Sequence, residues 1–465
     1  MIPLSLAEVA RITAGQLVEA AAPEATVTGD VVIDSRRVQP GGLFVCVRGE
    51  HVDGHDYAAQ ALAAGAVGVI ADRATQTPAV LVDDTTSALG ALAHGVVAAS
   101  NARVVGVTGS TGKTSTKDLL AVMFAADGET VAAEGSFNNE FGLPLTALRV
   151  TPSARTLVLE YSARGVGHIR YLCGIVPPTV AIVLNVGVAH LGEFGSREAI
   201  AQAKGELVEA LPSDGVAVLN ADDALVAAMA HRSQARVITF GVGPTADVRL
   251  GDVDTDALAR PSFRLTTPEG AVDVRLQLHG RHQAINAAAA VAAALAAGLP
   301  LERALAALEQ ATTLSPHRMQ LRERADGVVV IDDAYNANPE SMRAAMTALV
   351  AIAAGRRSWA LLGPMRELGT DSDAMHQEVG RTAAELDVDE LVLVGADAVP
   401  IRDGAQSVDG WSGQARTVSD ADAAAALLTA AVASGDVVLV KASNSEQLWR
   451  VADALMDGTA VEVGA

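Results

Sequence analysis

The chain has 465 residues and a formal net charge of −21, from 34 Lys and Arg against 55 Asp and Glu. At 50% hydrophobic and 19% charged it can supply the cores of roughly two to four domains, while its acidity excludes a general nucleic-acid binder, which needs basic surface. Its two cysteines, Cys46 and Cys173, are too few for a disulfide framework or a cysteine metal cluster. No basic segment followed by an apolar core opens the sequence, and no apolar run is long enough to cross a bilayer. The expectation is a reduced, cytoplasmic protein with no membrane span.

Residues 1–82 read as a small α/β unit. The strand-like Val31-Val32-Ile33 runs into Asp34-Ser35-Arg36-Arg37, and a Pro40-Gly41-Gly42 turn leads to the buried strand Leu43-Phe44-Val45-Cys46-Val47. His51-Val52-Asp53-Gly54-His55-Asp56 has metal-like letters. It lacks a third well-spaced ligand, so it reads as a solvated or substrate-facing turn.

Residues 83–314 are organised around Gly106-Val107-Thr108-Gly109-Ser110-Thr111-Gly112-Lys113-Thr114-Ser115. A β-branched run precedes this stretch and a helical pattern with Leu119, Leu120 and Met123 on one face follows it. Strand, glycine-rich loop, Lys-Thr and helix make a phosphate cradle. Backbone N–H groups and the helix N-terminus face the anion, Lys113 reaches the β- and γ-phosphates, and the Thr114 hydroxyl suits Mg²⁺. The strict Walker pattern needs glycine where Val107 stands, so the loop is a variant.

Further strands in this unit end in polar residues. Leu157-Val158-Leu159 ends in Glu160, the strand 180–184 ends in Asn185 with His190 soon after, and the strand 216–219 ends in Asn220. Ligands bind at the carboxyl ends of strands in open parallel sheets, so Glu160 and His190 are candidates to hold a cation near the loop. Ser196 caps a helix whose apolar stripe, Ile200, Ala203, Leu207 and Val208, includes Lys204. That lysine either snorkels or is desolvated as the neutral amine that CO₂ needs to form a carbamate. Gly280-Arg281-His282-Gln283-Ala284-Ile285-Asn286 opens a long Ala-rich helix whose first polar residues can face a ligand.

Residues 315–465 alternate strands and helices again, as in a mostly parallel, doubly wound sheet. The strand 328–331 enters Asp332-Asp333-Ala334-Tyr335-Asn336-Ala337-Asn338-Pro339, with Asn338 as a helix cap and Pro339 first in the helix. Strands at 359–362, 391–394 and 437–440 follow.

Together these motifs resemble the Mur ligases over nearly the whole chain. The resemblance rests on Asp34-Ser35-Arg36, the Thr108–Thr114 loop, Phe137-Asn138-Asn139, Ala189-His190-Leu191, Ala203-Lys204-Gly205-Glu206, Gly280 with His282 and Asn286, and the 332–339 stretch. It implies three α/β domains: 1–82 for the UDP-sugar, a central P-loop ATPase domain at 83–314, and a Rossmann-like domain at 315–465 that closes over ATP. The 332–339 stretch resembles the branch that joins D-Ala-D-Ala to UDP-MurNAc-tripeptide through an acyl phosphate. Alternatives are a sister amide ligase with another amino acid or acceptor, and a non-catalytic ATP-binding homologue.

By resemblance, Lys113, Lys204, His190 and Glu160 are catalytic. Thr114, Glu160, His190 and a carbamylated Lys204 look like Mg²⁺ ligands. Thr108, Gly109, Ser110, Thr111, Gly112, Lys113, Thr114 and Ser115 hold the phosphates of ATP, His282 and Asn286 lie beside adenine, and Arg318, Asp333 and Asn336 contact phosphate and ribose. Ser35, Arg36, Asn138 and Asn139 resemble the UDP-MurNAc side. The protein is expected to work as a monomer on small molecules, with no nucleic acid. Four departures stand out. The family commonly has Gly at Ser162, Asp at Pro364, Arg at Asn444 and Gly at His317. Lys441 and Arg366 are the candidate replacements for the missing arginine.

Overall fold

Short β-branched runs alternating with Ala- and Leu-rich helices build three main sheets, and the catalytic candidates lie where two of those sheets turn their carboxyl ends together. The computed structural model describes all residues except Ala20, Glu50, 188–190, 313–314, 458–459 and 462–465.

The first sheet runs, edge to edge, Gln16–Val18, Ala79–Leu81, Gly68–Ala71, Leu43–Val45 and Val31–Val32. All neighbours are parallel except the first pair. The helix Thr85–Ala98 follows, capped by the Asp84 carboxylate on the Ser87 N–H at 2.7 Å. One apolar cluster joins this part to the central sheet: Leu6, Leu43 and Ile70 pack in the same core as Leu92, Leu157 and Leu172.

In the central sheet, Arg103–Thr108 lies between Thr156–Glu160 and Val180–Val183, all parallel. The sheet continues through Val216–Asn220 and Arg236–Gly241. Because these strands are covered on both faces, they read as continuous Val, Ile and Leu rather than alternating. The strands Val248–Thr255, Pro261–Thr267 and Gly270–Arg275 then extend the sheet, the last two antiparallel. The sequence reading named no strand there, since charged residues alternate outward through Val248–Thr255 and no long apolar run marks it.

Two helices press on one face of the sheet's centre. Lys113–Ala125 follows the phosphate loop and buries Leu119, Leu120 and Met123. Gln283–Ala296 packs beside it, with every residue from Ala287 to Ala294 buried. Alanine lets the two helix backbones approach closely, which brings the polar start of the second helix to the loop.

The third sheet runs Gln414–Val418, Glu390–Val394, Ser358–Leu362, Val437–Lys441, Val329–Asp332, Gln320–Arg324 and Ala460–Val461. Its first five strands are parallel. Apolar clusters cover both faces, as a doubly wound sheet requires. Asn338 caps Pro339–Ala353, with its side chain on the Ser341 N–H at 2.9 Å and Pro339 in the first turn.

The 51–56 loop is solvated in part: His51, Val52 and Asp56 are exposed, but Gly54 and His55 are not. His55 is buried, with Nδ1 2.6 Å from Asp53 and Nε2 3.1 Å from Asp72. Arg73 and Arg48 bind the outer sides of those carboxylates, at 2.8 Å and 3.0 Å. The histidine pins the loop to Asp72, next to the strand Gly68–Ala71. Among the described residues no group of three or more His, Cys, Asp or Glu side chains is placed to hold a metal, and no helix is long and apolar enough to cross a membrane.

Candidate functional site

A cavity of about 580 Å³ opens where the central and C-terminal sheets face each other, floored by the phosphate loop. The loop is held from the neighbouring strand end. Asn185 Oδ1 accepts from the Ser110 and Thr111 N–H groups at 3.0 Å each, and its Nδ2 donates to Thr111 O at 3.3 Å. Ser110 Oγ accepts from the Gly187 N–H at 2.9 Å. Gly112 has φ +80°, the left-handed region, and a Cβ there would lie 2.5 Å from Asn286 Oδ1. Glycine is therefore required twice over, by its backbone angle and by the close approach of the Ala-rich helix.

Lys113 Nζ donates to Gly109 O at 2.7 Å. Burial lowers its pKa, with Glu160 pulling it back up and Arg318 adding to the depression. Glu160 ends its strand fully buried. Its Oε2 accepts from Asn138 Nδ2 at 3.2 Å, and its Oε1 has no partner. Thr108 lies buried at the start of the loop, and Ser115 lines the cavity on the first helical turn. Thr114 Oγ1 is 3.0 Å from Ser136 Oγ. Arg318, from the C-terminal side, donates through Nη2 to both hydroxyls, at 3.3 Å and 3.0 Å, while its Nε is buried without a partner. A buried carboxylate oxygen and a buried guanidinium N–H, both unsatisfied, mark places for a cation and an anion.

Lys204 does not line the cavity. It is buried on Arg197–Glu209, whose cap is the Ser196 side chain on the Ala199 N–H. Desolvation, reinforced by repulsion from Lys113, holds its pKa well below 10.5. Of the two readings left open by its spacing, the structure favours the desolvated amine over the snorkelling one. His190 lies outside the described residues.

The C-terminal wall carries Asp333, whose Oδ1 accepts from the Met319 N–H at 3.1 Å and whose Oδ2 meets Lys441 Nζ at 2.5 Å. Lys441 also donates to Asn336 O at 2.9 Å. His282, at the start of the Ala-rich helix, faces this pair. Its pKa is lowered by burial, with Asp333 opposing and Lys441 adding. Asn286 is buried one turn on and donates to Gln283 Oε1 at 3.0 Å.

Asn138 and Asn139 line the cavity, and Asn139 Oδ1 accepts from the Gly142 N–H at 2.9 Å. Ser35 and Arg36 do not line it; Ser35 is buried and Arg36 is paired with Asp34 at 2.7 Å. Their neighbour Arg37 reaches Glu134 at 3.8 Å, just before the Ser136–Asn139 stretch. Sequence reasoning missed Ser136, Arg164 and His168, which also line the cavity. Ser136 adjoins the recognisable Phe137-Asn138-Asn139, the one signal that pointed to it.

Local hydrogen bonds hold the surroundings of Ser162 and Pro364, and Arg366 is already paired. Tyr161 is buried and donates to Val176 O at 2.6 Å, and the Ser162 N–H binds Asn138 O at 3.1 Å. Pro364 O accepts from the Ser443 N–H at 3.4 Å. Arg366 is engaged by Glu446 at 2.7 Å and Asp397 at 2.6 Å.

A phosphate loop at the carboxyl ends of a parallel sheet, faced by a second doubly wound sheet, defines a multidomain P-loop nucleotide-using enzyme. Family models match residues 29–110 (Mur ligase family, catalytic domain), 107–294 (Mur ligase middle domain) and 317–444 (Mur ligase, glutamate ligase domain). The chain is 48% identical to the UDP-N-acetylmuramoyl-tripeptide–D-alanyl-D-alanine ligase of Mycobacterium tuberculosis, over 98% of each chain. It is 34% identical to the Escherichia coli ligase of the same name, over 98% of this chain and 99% of that one. A crystal structure of MurF from Acinetobacter baumannii superposes with a TM-score of 0.87 at 31% identity, covering 98% and 99%. MurF from Thermotoga maritima in complex with ADP gives 0.79 at 31%, covering 93% and 98%. The chain belongs to the Mur ligase family and is an ATP-dependent ligase.

The depressed pKa of Lys204 has a consequence for stability. The unfolded chain binds this proton below 10.5 more readily than the folded chain does, so the residue's cost falls as pH rises. In CO₂-free, nucleotide-free buffer, Lys204→Met is expected to melt above the parent near about pH 7, with the gain shrinking toward about pH 10. A gain that does not change with pH contradicts a buried, desolvated amine.

Proposed function

We propose that the chain joins the amine of D-Ala-D-Ala to the free carboxylate of UDP-MurNAc-tripeptide, with ATP converted to ADP and phosphate. The observation that carries this reading is the convergence of Lys113, Glu160 and Arg318 on one cavity, in a chain 48% identical end to end to a ligase of that name. The three spans 1–82, 83–314 and 315–465 serve as UDP-sugar, ATPase and closing domains. The chain acts as a monomer, and the nucleotide substrates suit the cytoplasm.

The first chemical step joins a carboxylate oxygen to the γ-phosphorus and breaks the bond to ADP. The amine nitrogen then attacks the carbonyl carbon of the acyl phosphate. The tetrahedral adduct loses phosphate, which leaves with the carboxylate-derived oxygen, and the nitrogen loses its proton. Two anions must meet, so the protein's task is positioning and charge neutralisation. The loop N–H groups from Gly109 to Ser115 and the Lys113 ammonium hold the β- and γ-phosphates. Arg318 offers its unpaired Nε to the transferred group. Asp333 and Asn336 face the ribose, His282 and Asn286 the adenine, and Ser35, Arg36, Asn138 and Asn139 the UDP-MurNAc side.

The partnerless Glu160 oxygen and the adjacent Thr114 hydroxyl fit a hard cation with oxygen ligands. Thr114 and Glu160 would hold one Mg²⁺, and His190 with a carbamylated Lys204 a second. Burial pushes Lys204 toward the neutral amine, the form that reacts with CO₂. When bound, Mg²⁺ screens the negative charge shared by the carboxylate and the γ-phosphate.

Phosphate release is expected only when ATP, Mg²⁺, UDP-MurNAc-tripeptide and D-Ala-D-Ala are all present, with a pentapeptide product by mass spectrometry. Release that ignores D-Ala-D-Ala, or a product of another mass, overturns the reading. Lys204→Ala is expected to lower turnover by about two orders of magnitude or more with the fold retained, and small carboxylic acids are expected to restore part of it. Full activity without any addition removes the carbamate role.

A further inference from the structure

Arg318 reaches from the C-terminal side to the phosphate loop, yet the backbone that presents it is strained on both sides. His317 has φ +58° and Met319 has φ +51°, both in the left-handed region that residues with a Cβ rarely adopt. Such angles persist only where the surroundings fix them, and they concentrate at functional sites.

Two consecutive carboxylates do the fixing. Asp333 accepts the Met319 N–H at 3.1 Å. Asp332 is fully buried at the end of its strand, and its Oδ2 accepts from His317 Nδ1 at 2.7 Å. The other Asp332 oxygen accepts the Ala334 N–H at 3.2 Å, so the carboxylate cannot turn away. On its far side the His317 ring stacks on Trp449, with centroids 5.4 Å apart and planes inclined by 29°. The Arg318 guanidinium lies 4.4 Å over the Tyr335 ring and ends on Thr114 and Ser136.

We infer that His317 is a positioning residue for Arg318: its pairing with Asp332 and its stacking on Trp449 hold the strained backbone that aims the guanidinium at the phosphate loop. A glycine would adopt the same φ without strain, but it would bring neither the carboxylate pairing nor the stack. The inference rests on the reading above, in which Arg318 contacts the transferred phosphate.

The test uses His317→Gly, His317→Asn, Arg318→Ala and the double variant His317→Gly/Arg318→Ala in the full chain. Glycine keeps the backbone angle, so the fold should survive, with a lowered melting temperature because buried Asp332 loses its histidine partner. Turnover is read by phosphate release. Calorimetry reads the affinities for ADP and for the β,γ-imido analogue of ATP, whose ratio reports the γ-phosphate contact. His317→Gly is expected to lower kcat about tenfold while shifting the KM for ATP less than about threefold, and to reduce the analogue-to-ADP affinity ratio. His317→Asn should recover most of both, since asparagine tolerates the left-handed region and its amide can donate to Asp332. The double variant should fall within about twofold of Arg318→Ala alone, because the two residues act as one unit.

A parental kcat and affinity ratio in His317→Gly, beside an impaired Arg318→Ala, overturns this inference alone. Multiplied losses in the double variant do the same. An Arg318→Ala protein with parental values removes the assigned role of Arg318, and this inference with it.

Discussion

The site depends on positive charge buried in an acidic chain. Lys113, Lys204, Lys441 and His282 all have pKa values pushed down chiefly by loss of water. In the cavity wall Asp333 is paired directly with Lys441. Glu160 tempers Lys113 but keeps one oxygen unpartnered. Such an arrangement favours the arrival of anions, which stabilise the charged forms of these groups and satisfy unpaired donors. The overall charge of −21 makes this contrast sharper.

The rigidity of the cradle comes from the sheet. Val107, which stands where the strict phosphate-loop pattern has glycine, is still within the central strand. It pairs with Glu160 and Ile182 in the neighbouring strands, and its carbonyl accepts the Tyr161 N–H at 2.9 Å. The loop therefore begins later than the pattern assumes, and a glycine at 107 is not needed. What the shortened turn lacks in its own hydrogen bonds, the Asn185 side chain supplies from the adjacent strand end. Asn185 and the Gly112–Asn286 contact tie the loop to two separate elements, so its N–H groups are set before any phosphate arrives.

Local signals were legible in the sequence. The phosphate loop, the Ser196 and Asn338 caps, the strand ends at Glu160 and Asp332, and the placement of Lys204 on an apolar stripe all follow from neighbours within a few residues. What stayed hidden depends on distant partners. The Lys441–Asp333 pair and the Arg318–Ser136 contact join residues 108 and 182 positions apart. His55 shows the same limit: its loop composition reads as solvated, and only packing against Asp72 makes it a buried pin. The left-handed backbone at Met319 gives no sequence signal, and at His317 the one hint was the glycine common in the family. The antiparallel strands Pro261–Thr267 and Gly270–Arg275 escaped because polar residues interrupt them, so they lack the apolar runs of the strands around them.

The most direct test of the account follows one oxygen atom. UDP-MurNAc-tripeptide labelled with ¹⁸O in its free carboxylate would be turned over with ATP, Mg²⁺ and D-Ala-D-Ala, and the released phosphate analysed by mass. If the buried cations bring carboxylate and γ-phosphate together to form an acyl phosphate, each phosphate released carries one ¹⁸O from the carboxylate. Unlabelled phosphate beside a labelled pentapeptide would mean that ATP is cleaved by water and that the carboxylate is never phosphorylated, which contradicts the account.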